Sequence, residues 1–335
     1  MEIVYYKDPK HNFGDDLNEV VWPQLFPAEM LDDPDIVLVG IGSVLTQQQL
    51  APFAGTRRKV IVLGSGTSYG VPPQDMSGWH VLGVRGPLTA AVIERPEAAA
   101  TDSAILLAAL PQVVQRAEEA GKVLFMPHHR SIFSTPWRQM VEDLGMTYVT
   151  PQQPVRDILA QFAQARLVVT EAMHGAIVAD TLRIPWVPLR ISPAIEEFKW
   201  RDWCLSLGLT YAPVSIPAGT ASDRDRFGHM RKLLLRTGVR GEADIPENAE
   251  AATLRAYLER RFSSANSELN FARQRRLVRL LRWPMRLADP LYTRGARLAL
   301  ASAAKGPCYL SRDADFARRL VQMQEAVEAA KRLAT

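Results

Sequence analysis

The chain has 335 residues, of which 47% are hydrophobic and 23% are charged, and its formal net charge is +4. This length is enough for two α/β domains and a tail, and the composition is ordinary for a globular protein. No stretch approaches the roughly 18 consecutive apolar residues of a membrane span, and the first residues lack the pattern of a secretory signal. Cys204 and Cys308 lie in no metal-ligand spacing, so we expect neither a disulfide framework nor a structural zinc, and a reducing cytoplasm fits best.

The first 110 residues alternate short apolar runs with helical patterns. The N-terminal residues and the runs 36–39, 60–63 and 80–84 predict strands, and the segments 16–25, 44–50 and 87–94 predict helices. Because continuous apolar strands separated by helices are typical of sheets covered on both faces, we expect a parallel sheet here.

A polar segment, Asn12-Phe13-Gly14-Asp15-Asp16, follows the first strand. Ligands bind at the carboxyl ends of strands in open parallel sheets, so this is the first candidate binding segment. Asn12 or Asp15 can instead cap the following helix, since short polar side chains accept hydrogen bonds from first-turn amides. The functional interpretation is that Asp15 or Asp16 faces a cleft and accepts a proton from a substrate hydroxyl.

Two further strands end in glycine-rich runs that contain Gly42-Ser43 and Gly66-Thr67. Glycine lets the backbone approach a ligand or take a positive φ, but tight packing of the turn explains it equally well. Neither run has the spacing of a dinucleotide-binding or P-loop motif, so neither predicts a nucleotide site.

Arg85 comes just before a predicted helix that begins at Pro87, a residue favoured at the first helical position. Free amides and the helix dipole favour an anion at such a position. Arg85 is therefore predicted to bind a carboxylate or a phosphate. The alternative is a salt bridge to a neighbouring acid.

The pattern of strands and helices restarts after residue 110. Helices are predicted over 113–120, 137–144, 155–165 and 175–182, and strands over 123–126, 146–149, 167–169 and 186–189. Two consecutive units of this kind predict two domains, 1–110 and 111–245, facing each other across a cleft. The tail, 246–335, is predicted to be helical, with breaks near 283–284 and 306–307.

The first strand of the second unit is followed by His128, His129 and Arg130. Adjacent histidines in an extended loop point in opposite directions, so we expect at most one of them in the cleft. A metal site is poorly supported here, because no partner spacing completes it.

The most informative segment is residues 170–180, which contains Glu171, His174 and Gly175. A strand ends there, and His174 stands at the start of a helix whose next residues are small. The helix N-terminus supplies hydrogen-bond donors, so an anion site is favoured over a histidine simply buried in the core.

The positive charge is concentrated in the tail. Residues 271–297 contain one acid, Asp289, and eight arginines, at 273, 275, 276, 279, 282, 286, 294 and 297. Leucines and Trp283 interleave with these arginines over 275–287, a pattern that suits the interface of an anionic membrane. The alternatives are a helical scaffold or an oligomer contact. No upstream segment resembles a nucleic-acid-binding module, so nucleic acid is not an expected partner.

Several of these segments together resemble the polysaccharide pyruvyltransferase family. They are N-F-G-D at 12–15, V-R-G-P-L-T at 84–89, T-D-S-A at 101–104 and M-H-G-A-I-V-A-D at 173–180, with the glycine-rich strand ends. The likeness covers about residues 1–190 and is to the exopolysaccharide ketal pyruvyltransferases of the xanthan and succinoglycan type. It implies a GT-B-like α/β fold of two Rossmann-type domains, with 1–110 on the acceptor side and 111–245 on the donor side.

The resemblance also implies a chemistry. Phosphoenolpyruvate is the donor, two hydroxyls of a sugar in a lipid-linked repeat unit are the acceptor, and neither a cofactor nor a metal is expected. His174 is assigned to the donor anion and to protonation of the leaving phosphate, and Asp15 or Asp16 is the base. The expected substrate-binding residues are Asn12, Gly42, Ser43, Gly66, Thr67, Arg85, His128, His129, Arg130, Glu171 and Gly175.

One position departs from the family. Ala172 stands where many members carry an arginine, two residues before the histidine. Arg85, His128, His129 or Arg130 are the candidates to supply the missing positive charge.

Two other functions stay open. One is a GT-B nucleotide-sugar glycosyltransferase of polysaccharide synthesis, although residues 184–199 contain no convincing diphosphate-binding pair. The other is a non-catalytic assembly partner docked on a membrane. In each case the expected location is the cytoplasm, peripheral on the inner face of the plasma membrane.

Overall fold

The computed structural model describes residues 1–132, 135–236, 245, 249–262 and 288–334. These residues contain two parallel sheets. The first sheet is formed by β1 (Glu2–Val4), β2 (Ile36–Val39), β3 (Lys59–Ser65) and β4 (His80–Val84). The second is formed by β5 (Lys122–Met126), β6 (Thr147–Tyr148), β7 (Ala165–Thr170), β8 (Trp186–Arg190) and β9 (Val214–Ser215).

The strand order is β1-β2-β3-β4 in the first sheet and β6-β5-β7-β8-β9 in the second. Neighbouring strands are parallel throughout, with Ile36 opposite Lys59 and Val168 opposite Trp186. All four residues of β2 are buried, which is the pattern of a parallel strand covered on both faces. The predicted α/β class with parallel sheets is confirmed.

Helices connect the strands and cover the sheets. Those before the second sheet are α1 (Phe13–Asp16), α2 (Asn18–Leu25), α3 (Ala28–Leu31), α4 (Gln47–Leu50) and α5 (Pro87–Val92). Within the second unit lie α6 (Trp137–Glu142), α7 (Val155–Ala163), α8 (Met173–Thr181), α9 (Glu197–Ser206) and α10 (Ala221–Arg236). The described tail contains α11 (Ala251–Phe262), α12 (Asp289–Ala303) and α13 (Asp313–Ala334). Short 3₁₀ turns also occur, the longest over Ser103–Ala109.

Alternate residues of the strands belong to different hydrophobic cores, because successive side chains point to opposite faces. Leu38 of the first sheet and Leu124 of the second lie in one shared core. Val37 packs in a separate core outside the first sheet, and Phe125 packs in another outside the second sheet. The two sheets therefore turn one face each toward a common apolar layer.

One predicted helix is wrong. Residues 113–120 form turns and extended backbone, not a helix. The segment is short and lies between Pro111 and Gly121, and Ala117 N–H donates outside it, to the carbonyl of Ala163 (2.8 Å). A helix this short is marginal unless packing stabilises it, and here the backbone is bonded to a neighbouring element instead.

The described tail is helical, as predicted, and its last helix returns to the first sheet. α13 contacts β3, β4 and the 3₁₀ turn, and it buries Met323 and Ala330 completely. Arg319 donates to the carbonyls of Ala99 and Ser206, which belong to different halves of the chain. This observation agrees with the scaffold alternative for part of the tail.

The amphipathic segment 275–287 lies outside the described residues, as does the predicted break at 283–284. Among the helices that the structure describes, none is both long and apolar enough to cross a membrane. The domain limits at 110 and 245 stay a prediction, and so does the GT-B-like likeness.

Candidate active site

The carboxyl ends of the two sheets meet where α1 approaches α8. The Phe13 N–H donates to the carbonyl of Pro151, in the loop after β6 (2.9 Å). The imidazole of His174, at the start of α8, lies against Gly14 of α1. A Cβ on Gly14 would lie 1.9 Å from His174 Nδ1, so no other residue fits there without a shift. The polar segment of the first half and the histidine of the second half thus form one site.

Asp15 and Asp16 have different surroundings, which the sequence did not reveal. Asp16 accepts a hydrogen bond from the Asn12 N–H (3.2 Å) and pairs with His11 (2.9 Å), so its carboxylate is used within its own loop. Asp15 accepts from the Asn12 side chain and faces His174 and Lys199, both of which act on it electrostatically. Asp15 is therefore the carboxylate that faces the histidine.

Burial raises the pKa of Asp15 to about 6, although His174 and Lys199 act to lower it. Gly42, at the end of β2, has a φ of +124° and leaves room for Asp15, whose Oδ1 would lie 3.0 Å from a Cβ there. A carboxylate whose pKa lies this close to neutral pH is suited to proton transfer.

His174 projects from the second half of the chain toward Asp102 of the first. Its side chain is 14% exposed, and its Nε2 lies 3.6 Å from Oδ2 of the fully buried Asp102. Asp102 was not among the predicted site residues, although it belongs to the T-D-S-A segment that carries part of the family resemblance.

A second group of side chains, which we call the Tyr69 cluster, consists of Tyr69, His128, His129, Arg130 and Lys199. Lys199 Nζ donates to the Tyr69 hydroxyl (3.0 Å), and the Arg130 guanidinium lies 5.7 Å from the centre of the same ring. Burial alone would raise the pKa of Tyr69, but Lys199 and Arg130 bring it below its ordinary value. The cluster therefore concentrates positive charge, and Lys199 links it to Asp15.

The two histidines of the cluster are held neutral. Their rings are tilted by 38° with centroids 4.1 Å apart, so they do not point in opposite directions as expected. Burial, together with the neighbouring Arg130 and Lys199, lowers the pKa of His129 to about 4 and that of His128 well below its ordinary value. His128 Nδ1 accepts from the Arg130 N–H (3.2 Å), which leaves the ring proton on Nε2. At neutral pH the charge of the cluster comes from Arg130 and Lys199.

Glu171 has no exposed surface and organises the strand ends. Its carboxylate accepts from the N–H groups of Ile191 and Ser192 (both 2.7 Å) after β8, and from the His128 N–H (3.2 Å) after β5. Burial raises its pKa to about 7, and the backbone bonds oppose this rise. Glu171 therefore holds the loops that carry the site, and its role in substrate binding stays a prediction.

Gly175 has a packing role as well. A Cβ on Gly175 would lie 2.5 Å from Thr170 Oγ1, so this glycine allows α8 to approach β7.

Arg85 also has an unexpected environment. It is fully buried, and its Nε lies 3.3 Å from Oδ2 of the fully buried Asp202 of α9. Asp202 Oδ1 accepts from the N–H groups of Leu88 and Thr89, the first-turn amides of α5. The helix start thus binds a carboxylate of the same chain. The structure thus contains the salt bridge that the sequence left as the alternative, and a role of Arg85 in donor binding stays a prediction.

The glycine-rich strand ends surround this ion pair. Arg85 Nη1 donates to Ser43 Oγ (2.6 Å), and its Nη2 donates to the Thr67 carbonyl (2.8 Å). A Cβ on Gly66 would lie 2.2 Å from the guanidinium carbon. Ser43, Gly66 and Thr67 thus enclose the arginine, whereas Gly42 borders the site at Asp15.

Lys199 and Tyr69 were missed by the sequence reasoning. Lys199 lies in α9, which shows no clear helical periodicity because it is buried on several sides, with Phe198, Trp200 and Trp203 all in cores. Its position near the site depends on a contact with Tyr69, 130 positions earlier in the chain. Within the part of the chain that the structure describes, no group of His, Cys, Asp or Glu residues is placed to hold a metal ion.

Comparison with known proteins gives two findings. Residues 57–193 match the family model described as polysaccharide pyruvyl transferase. The succinoglycan biosynthesis protein ExoV of Rhizobium meliloti (strain 1021) is 39% identical over 223 residues, which are 65% of this chain and 69% of that protein. No solved structure matches.

Proposed function

Because the chain belongs to the polysaccharide pyruvyl transferase family and is a pyruvyltransferase enzyme, we propose that it moves pyruvate from phosphoenolpyruvate onto two hydroxyls of one sugar. The product is a cyclic ketal, and phosphate is released. The sugar belongs to an exopolysaccharide repeat unit, a proposal supported by the likeness to a succinoglycan biosynthesis protein. The two parallel sheets support a GT-B-like arrangement, with the acceptor on the side of residues 1–110 and the donor on the side of 111–245.

The observation that carries this proposal is the position of Asp15 near His174, which acts on it electrostatically, beside the Tyr69 cluster. Phosphoenolpyruvate brings a phosphate and a carboxylate, which need cationic partners. Lys199 and Arg130 supply two positive charges, and they take the place of the arginine that Ala172 replaces. No metal or redox cofactor is part of this proposal.

Asp15 and His174 each carry out one proton transfer of the reaction. Asp15 accepts a proton from an attacking hydroxyl, and the oxygen forms a bond to the central carbon of the donor as the carbon–carbon double bond breaks and its methylene carbon takes up a proton. His174 gives a proton to the phosphate oxygen as the carbon–oxygen bond of the leaving group breaks. Over the whole reaction two hydroxyl protons are lost, of which one ends on the methylene carbon, now a methyl group, and the other on phosphate.

A parallel assay tests the proposal against the glycosyltransferase alternative. The intact protein is incubated with a sugar acceptor and either phosphoenolpyruvate or nucleotide sugars, and release of phosphate or nucleoside diphosphate is measured. We expect acceptor-dependent phosphate release from phosphoenolpyruvate, and a loss of about 100-fold or more in His174→Ala, since general acids contribute at least this much. Nucleoside diphosphate release without phosphate release would contradict the proposal.

We also propose that the acceptor is lipid-linked and that the tail contacts an anionic membrane on its cytoplasmic side. On α12 the side chains of Leu291 and Leu298 are 75% and 63% exposed, and Arg294 lies between them on the same face. The opposite face buries Ala296 and Leu300. An apolar stripe with neighbouring arginines is typical of a helix at a membrane surface.

Co-sedimentation with vesicles tests the membrane contact. The intact protein should bind vesicles that contain phosphatidylserine at low salt, and binding should weaken in high salt and in Leu291→Ser/Leu298→Ser. Val321→Ser is the control, because Val321 is also an exposed apolar residue (51%) but lies on α13. If the intact protein does not bind these vesicles at low salt, the proposed membrane contact is wrong.

A further inference from the structure

The imidazole of His174 is enclosed by two residues of the other half of the chain. Gly14 lies on its Nδ1 side, and Asp102 lies on its Nε2 side at 3.6 Å. Neither His174 Nε2 nor Asp102 Oδ2 has a hydrogen-bond partner among the described residues, and both atoms are buried. The two atoms therefore face each other as the nearest opposite partners.

The two carboxylate oxygens of Asp102 differ in their hydrogen-bond partners. Oδ1 accepts from the Ala104 N–H (3.0 Å) and so caps the 3₁₀ turn that begins at Ser103. Oδ2 has no donor among the residues that the structure describes. Burying a carboxylate without a partner is costly, so a proton carried by the facing nitrogen of His174 strongly stabilises this arrangement.

The burial of Nε2 also limits how His174 can act. The ring is 14% exposed, and since Nε2 is buried its accessible part lies elsewhere on the imidazole. Nδ1 lies on the side of Gly14, the neighbour of Asp15 in α1. A proton exchanged with a bound substrate therefore travels through Nδ1.

We propose that Asp102 is the positioning residue of His174: it holds the Nε2 proton and so leaves Nδ1 to exchange a proton with the substrate. The pair is formed across the two halves of the chain, so it also joins α8 to the 3₁₀ turn that begins at Ser103. When His174 gives up its Nδ1 proton, the electron pair of that N–H bond stays on the ring and the Nε2 proton stays on His174, facing Asp102. This inference rests on the proposed role of His174 as proton donor.

Asp102→Asn tests the inference with little change in the fold. Asparagine keeps an oxygen for the Ala104 N–H, but it presents an NH₂ group to His174 Nε2. The ring must then accept at Nε2 and carry its proton on Nδ1, the opposite tautomer. We expect kcat to fall about 100-fold or more.

The tautomer is measured separately from activity, by ¹⁵N–¹H NMR of the histidine rings. The chain has six histidines, and the spectrum of His174→Gln identifies the His174 signal. Wild-type protein should show the proton on Nε2, and Asp102→Asn should show it on Nδ1. This readout needs no substrate, so it distinguishes failure of the positioning role from failure of the proposed reaction.

Asp75→Asn is the matched control, because Asp75 accepts from the N–H two residues later, as Asp102 does, but in an exposed turn. It should keep wild-type kcat and the His174 spectrum. If Asp102→Asn leaves the tautomer of His174 unchanged, the inference is overturned. It is equally overturned if activity falls only in proportion to the folded fraction measured by urea unfolding.

Discussion

At the residue scale, Asp15 shows how an ordinary carboxylate becomes suited to proton transfer. It differs from its neighbour Asp16 only in what it faces: Asp16 is bonded within its own loop, whereas Asp15 faces His174 and Lys199. Burial raises the pKa of Asp15 to about 6, and His174 and Lys199 act to lower it. A residue that is ionised at neutral pH and protonated not far below it can act as a base.

The pH dependence of the reaction should report Asp15. The base must be ionised, so we expect kcat/KM to fall as the pH drops below about 6. Asp15→Asn should lose about 100-fold or more in kcat and no longer show this acidic limb. Asp16→Asn should keep the limb, and pH–rate profiles of the three proteins check this. If the limb disappears in Asp16→Asn and persists in Asp15→Asn, the assignment is reversed.

Asp15 should also limit stability. Its pKa is raised in the folded state, so its favourable contribution is fully present below its ordinary pKa, near 4, and is lost as the pH rises through 6. At pH 7 Asp15→Asn should therefore raise the free energy of unfolding, by about 1–2 kcal/mol after allowing for partial exposure. Urea unfolding at pH 7 measures this increase. At pH 3.5 the wild type and Asp15→Asn should have the same free energy of unfolding.

Lys199 is the other residue that the tertiary structure adds to the site. If it binds the donor, Lys199→Met should raise KM for phosphoenolpyruvate about 10- to 100-fold, the value of one hydrogen bond to a charged group. KM for the sugar acceptor should change little. Lys305→Met, at an exposed lysine between α12 and α13, is the control. Equal effects on both substrates would contradict a donor role.

At the element scale, α9 supplies residues that contact the first half of the chain in two places. Its Asp202 caps α5 and pairs with Arg85, while its Lys199 reaches the Tyr69 cluster. One helix thus supplies both a buried ion pair and a cation of the candidate site. The site depends on this docking, because Asp202 supplies the carboxylate that neutralises the buried Arg85.

Breaking the Arg85–Asp202 pair should be costly. Asp202→Ala leaves a buried guanidinium without its carboxylate, and we expect the free energy of unfolding to fall by about 3–5 kcal/mol. Asp313→Ala, which removes the 95% exposed partner of Arg183, should cost less than about 1 kcal/mol. Urea midpoints measure both. Unchanged stability in Asp202→Ala, together with weaker donor binding in Arg85→Lys, would favour the donor role of Arg85.

At the scale of the whole molecule, the C-terminal helix joins the two halves. α13 packs on the first sheet, and Arg319 donates to carbonyls of both halves. The same helix leaves Val321 exposed, so one face is part of the fold and the other is open to solvent. The end of the tail is therefore structural, whatever the arginine-rich segment before it contacts.

Because α13 packs on the first sheet, substitutions at a buried and at an exposed position of this helix should change the free energy of unfolding by different amounts. Met323→Ala creates a cavity against the first sheet and should lower the free energy of unfolding by about 2–5 kcal/mol. Val321→Ala, two residues earlier on the exposed face, should stay within about 0.5 kcal/mol of wild type. Thermal or urea unfolding of both variants is the measurement. Similar values for the two would show that α13 is not docked in solution.

The sequence by itself determined the order of most elements, and it placed Asp15 and His174 among the candidate residues. Strand periodicity and the polar residues after each strand are local signals, so the parallel sheets and the position of His174 near the start of a helix were predictable. The helix at 113–120 was wrong because a short local pattern does not reveal that Ala117 bonds to another element.

Only the tertiary structure decided which of these residues face one another. Arg85 lies 117 positions from Asp202, and Lys199 lies 130 positions from Tyr69. No local period records such pairs, because they form only when α9 packs back on the first half of the chain. For the same reason the sequence left Asp15 and Asp16 equivalent. Their difference arises from burial and from charges contributed by distant segments, which depend on how the two halves pack together.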